Sequence, residues 1–369
     1  MAGQTQVAGS FDCAVVGGGR AGATAALALR EAGASVALFE RRPAPGHRYG
    51  ETLPPEIGPL LTDLGLGDDL RSLGPVPSPG SVVVWGSDRP SEQDFVFKPQ
   101  GEGWHVDRGA FDSMLRAAAV RAGVCLIGGV DIRQVWALAG RWYLRESSGR
   151  QWEARFLLDA SGRPGLRILH RPRRIVDDTL LAIVLRVAGA GEADRDLRTT
   201  IEAIAGGWWY TAPIPRNETV AMFFTDPQGL DSPSGIDGHL ALAPVTAARL
   251  QGLVRVERRV LSVQSSVRAR LCGPGWLAVG EAAASFDPLS GMGVLSAMSQ
   301  GLYAGGAVAR HLDGDLDAPD EAARRFHETF LRYRAERIRY YAQERRFGRS
   351  GFWGRRLGPA PSADHVAVS

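Results

Sequence analysis

Lysine is almost absent from this chain: Lys98 is the only one, and arginine supplies the rest of the 43 basic residues. With 40 acidic residues beside them, the formal net charge is only +3. A net charge that small gives no argument for a nucleic-acid partner, and none is expected. Cysteine is equally scarce. Cys13, Cys125 and Cys272 stand far apart in or beside apolar runs, which excludes a paired zinc or redox motif and predicts buried thiols in a reducing compartment. No metal site is expected. No stretch of roughly 18 residues is continuously apolar enough to span a bilayer. The opening MAGQTQVAGS lacks a basic n-region, so residues 1–10 read as a disordered leader and the protein as cytoplasmic. What remains, at 44% apolar and 22% charged residues, is the composition of an ordinary globular enzyme.

The first ordered element is FDCAVV at 11–16, a continuous apolar run of the kind buried on both faces of a parallel sheet. A glycine-rich turn, an alanine-rich helix from Arg20 to Ala32 stopped by Gly33, and the strand SVALFE at 35–40 complete a βαβ unit. A short helix near 56–64, strand-like SVVVW at 81–85 and DFVFK at 94–98, a helix over 109–122 capped by Asp107, and the strand VCLI at 124–127 follow. A meander over 130–158 ends in the buried FLLDA. From 175 to 267 the pattern becomes mostly antiparallel, with one helical insert at 238–252. Near 276 the first pattern returns: WLAVG, then a helix beginning MGVLSAMSQG, then an amphipathic helix over 319–346. The residues from 350 onward read as a disordered tail. One domain is therefore interrupted by another.

Gly17-Gly18-Gly19-Arg20-Ala21-Gly22 matches G-x-G-x-x-G. Gly17 permits the tight turn, Gly19 lets the backbone approach a pyrophosphate at the helix N-terminus, and Gly22 allows close helix–strand packing. Glu40 ends the next strand, placed to accept a hydrogen bond from a ribose. Far downstream, Gly280-Glu281-Ala282-Ala283 and Asp287-Pro288-Leu289-Ser290-Gly291-Met292-Gly293 form a second glycine-rich helix start. Folds that bind only a nicotinamide dinucleotide have no need of it.

With Asp159-Ala160-Ser161-Gly162 between them, these segments resemble the three fingerprints of FAD-dependent aromatic hydroxylases and flavin-dependent halogenases, in the same order and over about residues 11–310. The family's Gly-Asp is Gly280-Glu281 here. The resemblance implies an α/β fold: a three-layer, Rossmann-like FAD-binding domain (11–75, 101–174, 268–312) interrupted by a mostly antiparallel substrate domain (76–100, 175–267). A C-terminal helical region (313–349) and the tail (350–369) follow. It implies FAD contacts at Gly17, Gly19, Arg20, Ala21, Gly22, Glu40, Arg41, Arg48, Arg108, Asp159, Gly280, Glu281, Pro288, Gly291, Met292 and Gly293. The flavin would be reduced by NAD(P)H directly or through a separate flavin reductase.

HRYGETLPPEIGPLLTDLGL, GEGWHVDR and GGWWYTAPIP are more closely similar to a branch that matures quinone-cofactor enzymes by oxidising a tryptophan within another polypeptide (the LodB, GoxB and QhpG type). That similarity implies free or peptidyl indole as the substrate class. In GGWWYTAPIP, alternation sets Trp208 and Tyr210 on one strand face, read as a substrate-pocket lining, and Trp209 on the other, read as core. Glu51 and His105 are the titratable residues of these segments placed to reach a substrate. Each also has a plain structural reading, as a loop-bridging carboxylate and a half-buried strand histidine.

Hydroxylation, halogenation and dehydrogenation share this fold, so the site decides. Flavin-dependent halogenases are thought to use a lysine lying shortly before a strand. LGPVPSPGSVVVWG, the comparable stretch, has none, and Lys98 sits in another segment. A hydroxylase asks less of the protein: reduced flavin takes O₂ to a C4a-hydroperoxide, and the site supplies positioning and dryness. The expectation is an FAD-dependent monooxygenase acting on an aromatic small molecule or a tryptophan-containing peptide or protein. Halogenase, FAD-dependent dehydrogenase or reductase, and non-catalytic FAD-containing maturation partner stay open.

Overall fold

A computed structural model describes residues 7–42, 49–167, 173–189, 196–230, 235–348 and 351–357. Its first sheet is parallel at the centre. Trp276–Ala278, Gln151–Asp159, Val7–Val16, Val36–Glu40 and Cys125–Gly128 lie side by side in that order. The central strands are buried on both faces, as their uninterrupted apolar runs require. The meander Ile132–Leu138 and Arg141–Glu146 pairs antiparallel on one flank.

Helix Arg20–Glu31 packs on this sheet beside helix Gly293–Leu312, and glycine sets how closely they meet. A Cβ on Gly301 would lie 2.3 Å from the Ala21 carbonyl oxygen, and one on Gly305 would lie 2.7 Å from that of Ala25. Only residues without a side chain admit such an approach.

The second sheet has seven strands: Val254–Ser262, Leu181–Ala188, Glu218–Thr225, Gly207–Ile214, Thr199–Ile204, Gly80–Val84 and Ser91–Asp94. All neighbours are antiparallel except Thr199–Ile204 with Gly80–Val84. One face packs around Trp209 and Phe223 under the short helices Gly235–Ala241 and Pro244–Leu250. The other packs around Trp208 and Phe224 under the end of helix Ala318–Gln343 and the segment after it. A small sheet, Thr52–Leu53, Gly103–His105 and Val76–Ser78, lies between the two large ones in the chain's path.

Four local expectations are corrected. The first strand begins at Val7, so residues 7–10 of the expected leader are sheet, paired from Val7↔Gln151. Residues 95–97 form a 3₁₀ turn in place of a strand, with Phe97 86% exposed. The tail is ordered over 351–357: Gly351–Gly354 is a helical turn that buries Phe352 and Trp353, and Arg356 pairs with Asp226 at 2.7 Å. Of the three thiols only Cys13 is buried; Cys125 is exposed and Cys272 intermediate. Residues 1–6 and 358–369 lie outside the described residues. No helix among the described residues is long and apolar enough to cross a membrane, and no group of acidic, histidine or cysteine side chains is arranged to hold a metal ion.

Candidate flavin and substrate site

The turn after the first strand is held from both sides. Gly17 sits at φ +112°, and its N–H donates to the Phe39 carbonyl at 2.8 Å. A Cβ on Gly22 would fall 1.9 Å from the Gly17 carbonyl oxygen, so glycine at 22 lets the helix start directly on the turn. Gly19 is the N-cap residue of Arg20–Glu31, and no side chain caps that terminus. Met292 is the N-cap residue of Gly293–Leu312, likewise without a side-chain cap. Two uncapped helix starts on one sheet suit the diphosphate and the electron-rich ring edge of a flavin dinucleotide.

The two glycine motifs, distant in sequence, meet. Gly280 (φ +61°) follows Trp276–Ala278 and comes so close to the first helix that a Cβ there would be 2.7 Å from Ala21 Cβ. Its N–H donates to Gln300 Oε1 at 3.2 Å, a side chain that no motif pointed to. Glu281 is half exposed beside Arg163, 3.5 Å away. Pro288 opens a 3₁₀ turn closed by Gly291 at φ +63°, and Met292 is 40% exposed at its tip. Asp287 accepts the Leu289 N–H at 2.9 Å and fixes that turn.

Several predicted contact residues are engaged by the protein itself. Glu40 accepts the Gly18 N–H and the Arg42 N–H, both at 2.9 Å, and so ties the turn to the end of its strand. Arg116 completes that corner by donating to the Gly18 carbonyl at 3.0 Å. Asp159 is fully buried; it accepts from Ser161, from the Leu166 N–H (2.8 Å) and from Arg268 (2.7 Å). It orders the Ala160–Gly162 turn, a positioning role in place of the direct contact expected. Arg41 is exposed at the strand end, and Arg48 lies outside the described residues.

A continuous chain of polar contacts joins the first helix to Glu51. Arg20 lies 3.6 Å from Asp112, Asp112 accepts from Arg108 at 3.3 Å, and Arg108 donates to the Gly50 carbonyl at 2.6 Å. Arg108 is 2% exposed, so its work is to set the loop that carries Glu51. Burial pushes the Glu51 carboxyl up to about 8, only partly offset by the backbone N–H groups of Gly50 and of Glu51 itself. At neutral pH this favours the protonated carboxyl.

Next to it, Tyr210 Oη lies 2.6 Å from Thr52 Oγ1, which lies 2.9 Å from His105 Nδ1. His105 Nε2 lies 2.8 Å from the Leu197 carbonyl, which can only accept, so Nε2 carries the hydrogen. When the ring carries only that hydrogen, Nδ1 accepts from Thr52, and Thr52 accepts from Tyr210. Tyr210, Thr52 and His105 thus form one hydrogen-bonded chain, and burial raises the phenol pKa above the ordinary value. Thr52 carried no sequence signal of its own; its position between Glu51 and the strand pairing with His105 places it.

Trp208 is corrected. Its ring is 1% exposed, stacked on Phe224 at 3.9 Å between centroids, and its Nε1–H donates to Tyr341 Oη at 3.2 Å. It is core. Tyr341 in turn donates to Asp287 at 2.9 Å, a link between the aromatic face and the 288–293 turn that sequence reading missed. Lys98 is equally settled: its ammonium pairs with Glu56 at 2.9 Å and sits 4.5 Å from the Phe95 ring centroid.

Residues 87–355 match the tryptophan halogenase family model, and residues 12–52 match that of FAD dependent oxidoreductases. LodB of Marinomonas mediterranea is 29% identical over 366 residues, which cover 94% of this chain and 97% of LodB. Tryptophan 2-halogenase of Chondromyces crocatus is 28% identical, covering 89% of this chain and 67% of that protein. Among solved structures, the peptidyl tryptophan dihydroxylase QhpG superposes with a TM-score of 0.78 at 25% identity, covering 98% of this chain and 82% of QhpG. The chondrochloren halogenase CndH, at 23% identity and a TM-score of 0.86, has the same fold. With two glycine motifs converging on one sheet edge and a buried acid beside them, the chain belongs to the tryptophan halogenase family and is an FAD-dependent oxidoreductase.

Proposed function

We propose that this enzyme hydroxylates an electron-rich aromatic ring, an indole of free or peptidyl tryptophan, and does not halogenate it. The observation that carries the reading is the fate of the only lysine. A halogen carrier must present a free amine to the substrate, and the Lys98 ammonium is held by Glu56 on a surface turn. Bound and reduced, FAD supplies the activation of O₂. The diphosphate would lie on the Gly17–Gly22 turn, with Glu40 fixing that turn and Gly280 and the Pro288–Gly293 segment bordering the ring system.

The chain's own residues do the rest. Arg108 and Asp112 hold the Glu51 loop. Protonated Glu51 can donate a proton where an oxygen leaves, and the Tyr210–Thr52–His105 chain can accept one from the ring that has gained oxygen. Their burial keeps water out. QhpG acts on peptidyl tryptophan, and LodB matches this chain almost end to end; both likenesses favour tryptophan within a polypeptide.

The test supplies reduced flavin, O₂, excess chloride or bromide and an indole-containing peptide, and reads the product by mass. Gain of oxygen without halogen is expected, from wild type and from Lys98→Ala alike. Chlorinated product from wild type but not from Lys98→Ala would refute the reading and make Lys98 the carrier.

A further inference from the structure

The strand Val254–Ser262 is an edge of the seven-stranded sheet: Leu181–Ala188 pairs with it on one side, and no strand among the described residues pairs on the other. Long edges with apolar side chains invite another strand, and folded proteins usually blunt them. Here blunting is partial. A register shift opposite Arg186 and Val187 leaves Val256 as an extra residue, after which Glu257–Ser262 runs straight. Val254, Val256 and Val260 are 67%, 51% and 47% exposed, a concentration of large exposed apolar side chains on one strand. Between them stand Arg255, Arg258 and Arg259 against a single acid, Glu257. Arg255 pairs with Asp237 and Arg259 with Glu257, while Arg258 meets no acid among the described residues.

This edge borders the site. Arg163 donates to the Ser262 carbonyl at 2.8 Å, closing the far end of the strand, and the same guanidinium lies 3.5 Å from Glu281 beside the Gly280 turn. Tyr49, two residues before Glu51, lies against Glu257 and Arg259, and burial raises its phenol pKa. Glu257, Arg259 and Leu261 oppose Arg186, Val184 and Ala182 and share their face, the face of Tyr210. A strand added outside this one would lie about 4.8 Å away and turn every second side chain to that same face.

We infer that Glu257–Ser262 is the docking edge for the protein substrate: an acidic, extended segment adds to it as a further strand, its carboxylates meeting Arg258 and Arg259, and presents its tryptophan toward Tyr49 and the Gly280 turn. The inference rests on the proposed function only in taking a polypeptide as substrate.

The probes are four synthetic peptides of one length, each with a single tryptophan between Val/Thr residues. One carries Glu, one carries Lys in place of Glu, and two are the Glu peptide N-methylated at alternate residues, one in each of the two registers. Binding to the full chain, with flavin bound, is read by fluorescence anisotropy. The Glu peptide should bind about tenfold more tightly than the Lys peptide, and Arg258→Glu should reverse the preference while flavin content is unchanged. N-methylation in one of the two alternate registers should abolish binding and in the other should not, because only one set of N–H groups faces the edge.

Equal binding of Glu and Lys peptides, no binding of either, or indifference to both N-methyl registers would overturn the inference. A dimer in sedimentation that Arg258→Glu dissolves would give the edge to a second copy and overturn it too. Tight, register-dependent binding without oxygenated product would leave the docking edge standing and sink the hydroxylation reading. Oxygenated free tryptophan without peptide binding would do the reverse.

Discussion

The two large sheets of this molecule are packed by opposite means. Around the parallel sheet the contacts that matter are glycines set against backbone or an alanine Cβ: Gly22 on Gly17, Gly280 on Ala21, Gly301 and Gly305 on the first helix. Around the antiparallel sheet they are ring to ring: Trp208 on Phe224, Trp85 edge-on to Trp353 and to Tyr341, Phe347 stacked on Trp353. A backbone contact tolerates one residue type, and a ring contact tolerates many. The parallel-sheet side of the molecule therefore announces its chemistry in its sequence, and the antiparallel side conceals it.

The sharpest way to break this contrast is to place a side chain in a backbone contact. Gly22→Val sets a Cβ 1.9 Å from the Gly17 carbonyl oxygen, where no rotamer relieves the clash. The cost should exceed the ~1–3 kcal/mol of ordinary overpacking, and the purified protein should be colourless. A yellow variant with wild-type melting temperature would mean that the turn opens freely, and the phosphate cradle would have to lie elsewhere.

The aromatic side answers to a different change. Trp208→Ala removes a fully buried ring and its bond to Tyr341, and should lower stability by ~3–5 kcal/mol in urea unfolding while leaving flavin bound to the folded fraction. If stability were unchanged and only the fraction of oxygen delivered to substrate fell, Trp208 would return to a pocket wall.

That revision shows where legibility stops. Alternation put Trp208 and Tyr210 on one face and Trp209 on the other, and the clusters have them so. Alternation says nothing about what covers a face. Here the cover is Tyr341 from the expected last helix, with Phe352 and Trp353 from a segment whose glycines and arginines read as a tail. Its order comes from long-range contacts: Arg356 on Asp226, and Trp353 Nε1–H on the Ile204 carbonyl at 3.0 Å. The first strand was misjudged at its start for a similar reason, because Val7–Ser10 is ordered by pairing with Gln151–Glu153 and not by its own composition. The order of motifs, the parallel core and the interrupting antiparallel sheet were all legible. Thr52, Arg116, Gln300 and Asp112 were not, since each acts through a partner distant in sequence.

The smallest expected effect is the most diagnostic of the site, because Glu51 belongs to neither packing regime: it is a polar group buried between them. An ordinary glutamate titrates near 4.5, and burial holds this one at about 8. Between those values the native state keeps a proton that the unfolded chain has released. Stability from this residue is therefore full below about pH 4.5, declines as pH rises, and levels off above about pH 8. Glu51→Gln keeps the shape and cannot titrate. Unfolding in urea at several pH values should show the wild type losing stability across this window, by a few kcal/mol at most, relative to a flatter Glu51→Gln. The buried Asp287, whose pKa is also raised by desolvation, is present in both proteins and cancels from the difference. Parallel curves for the two proteins would mean that Glu51 is ionised in the folded state at neutral pH. It would then be a base rather than an acid, and the direction of proton transfer assigned to it would have to be reversed.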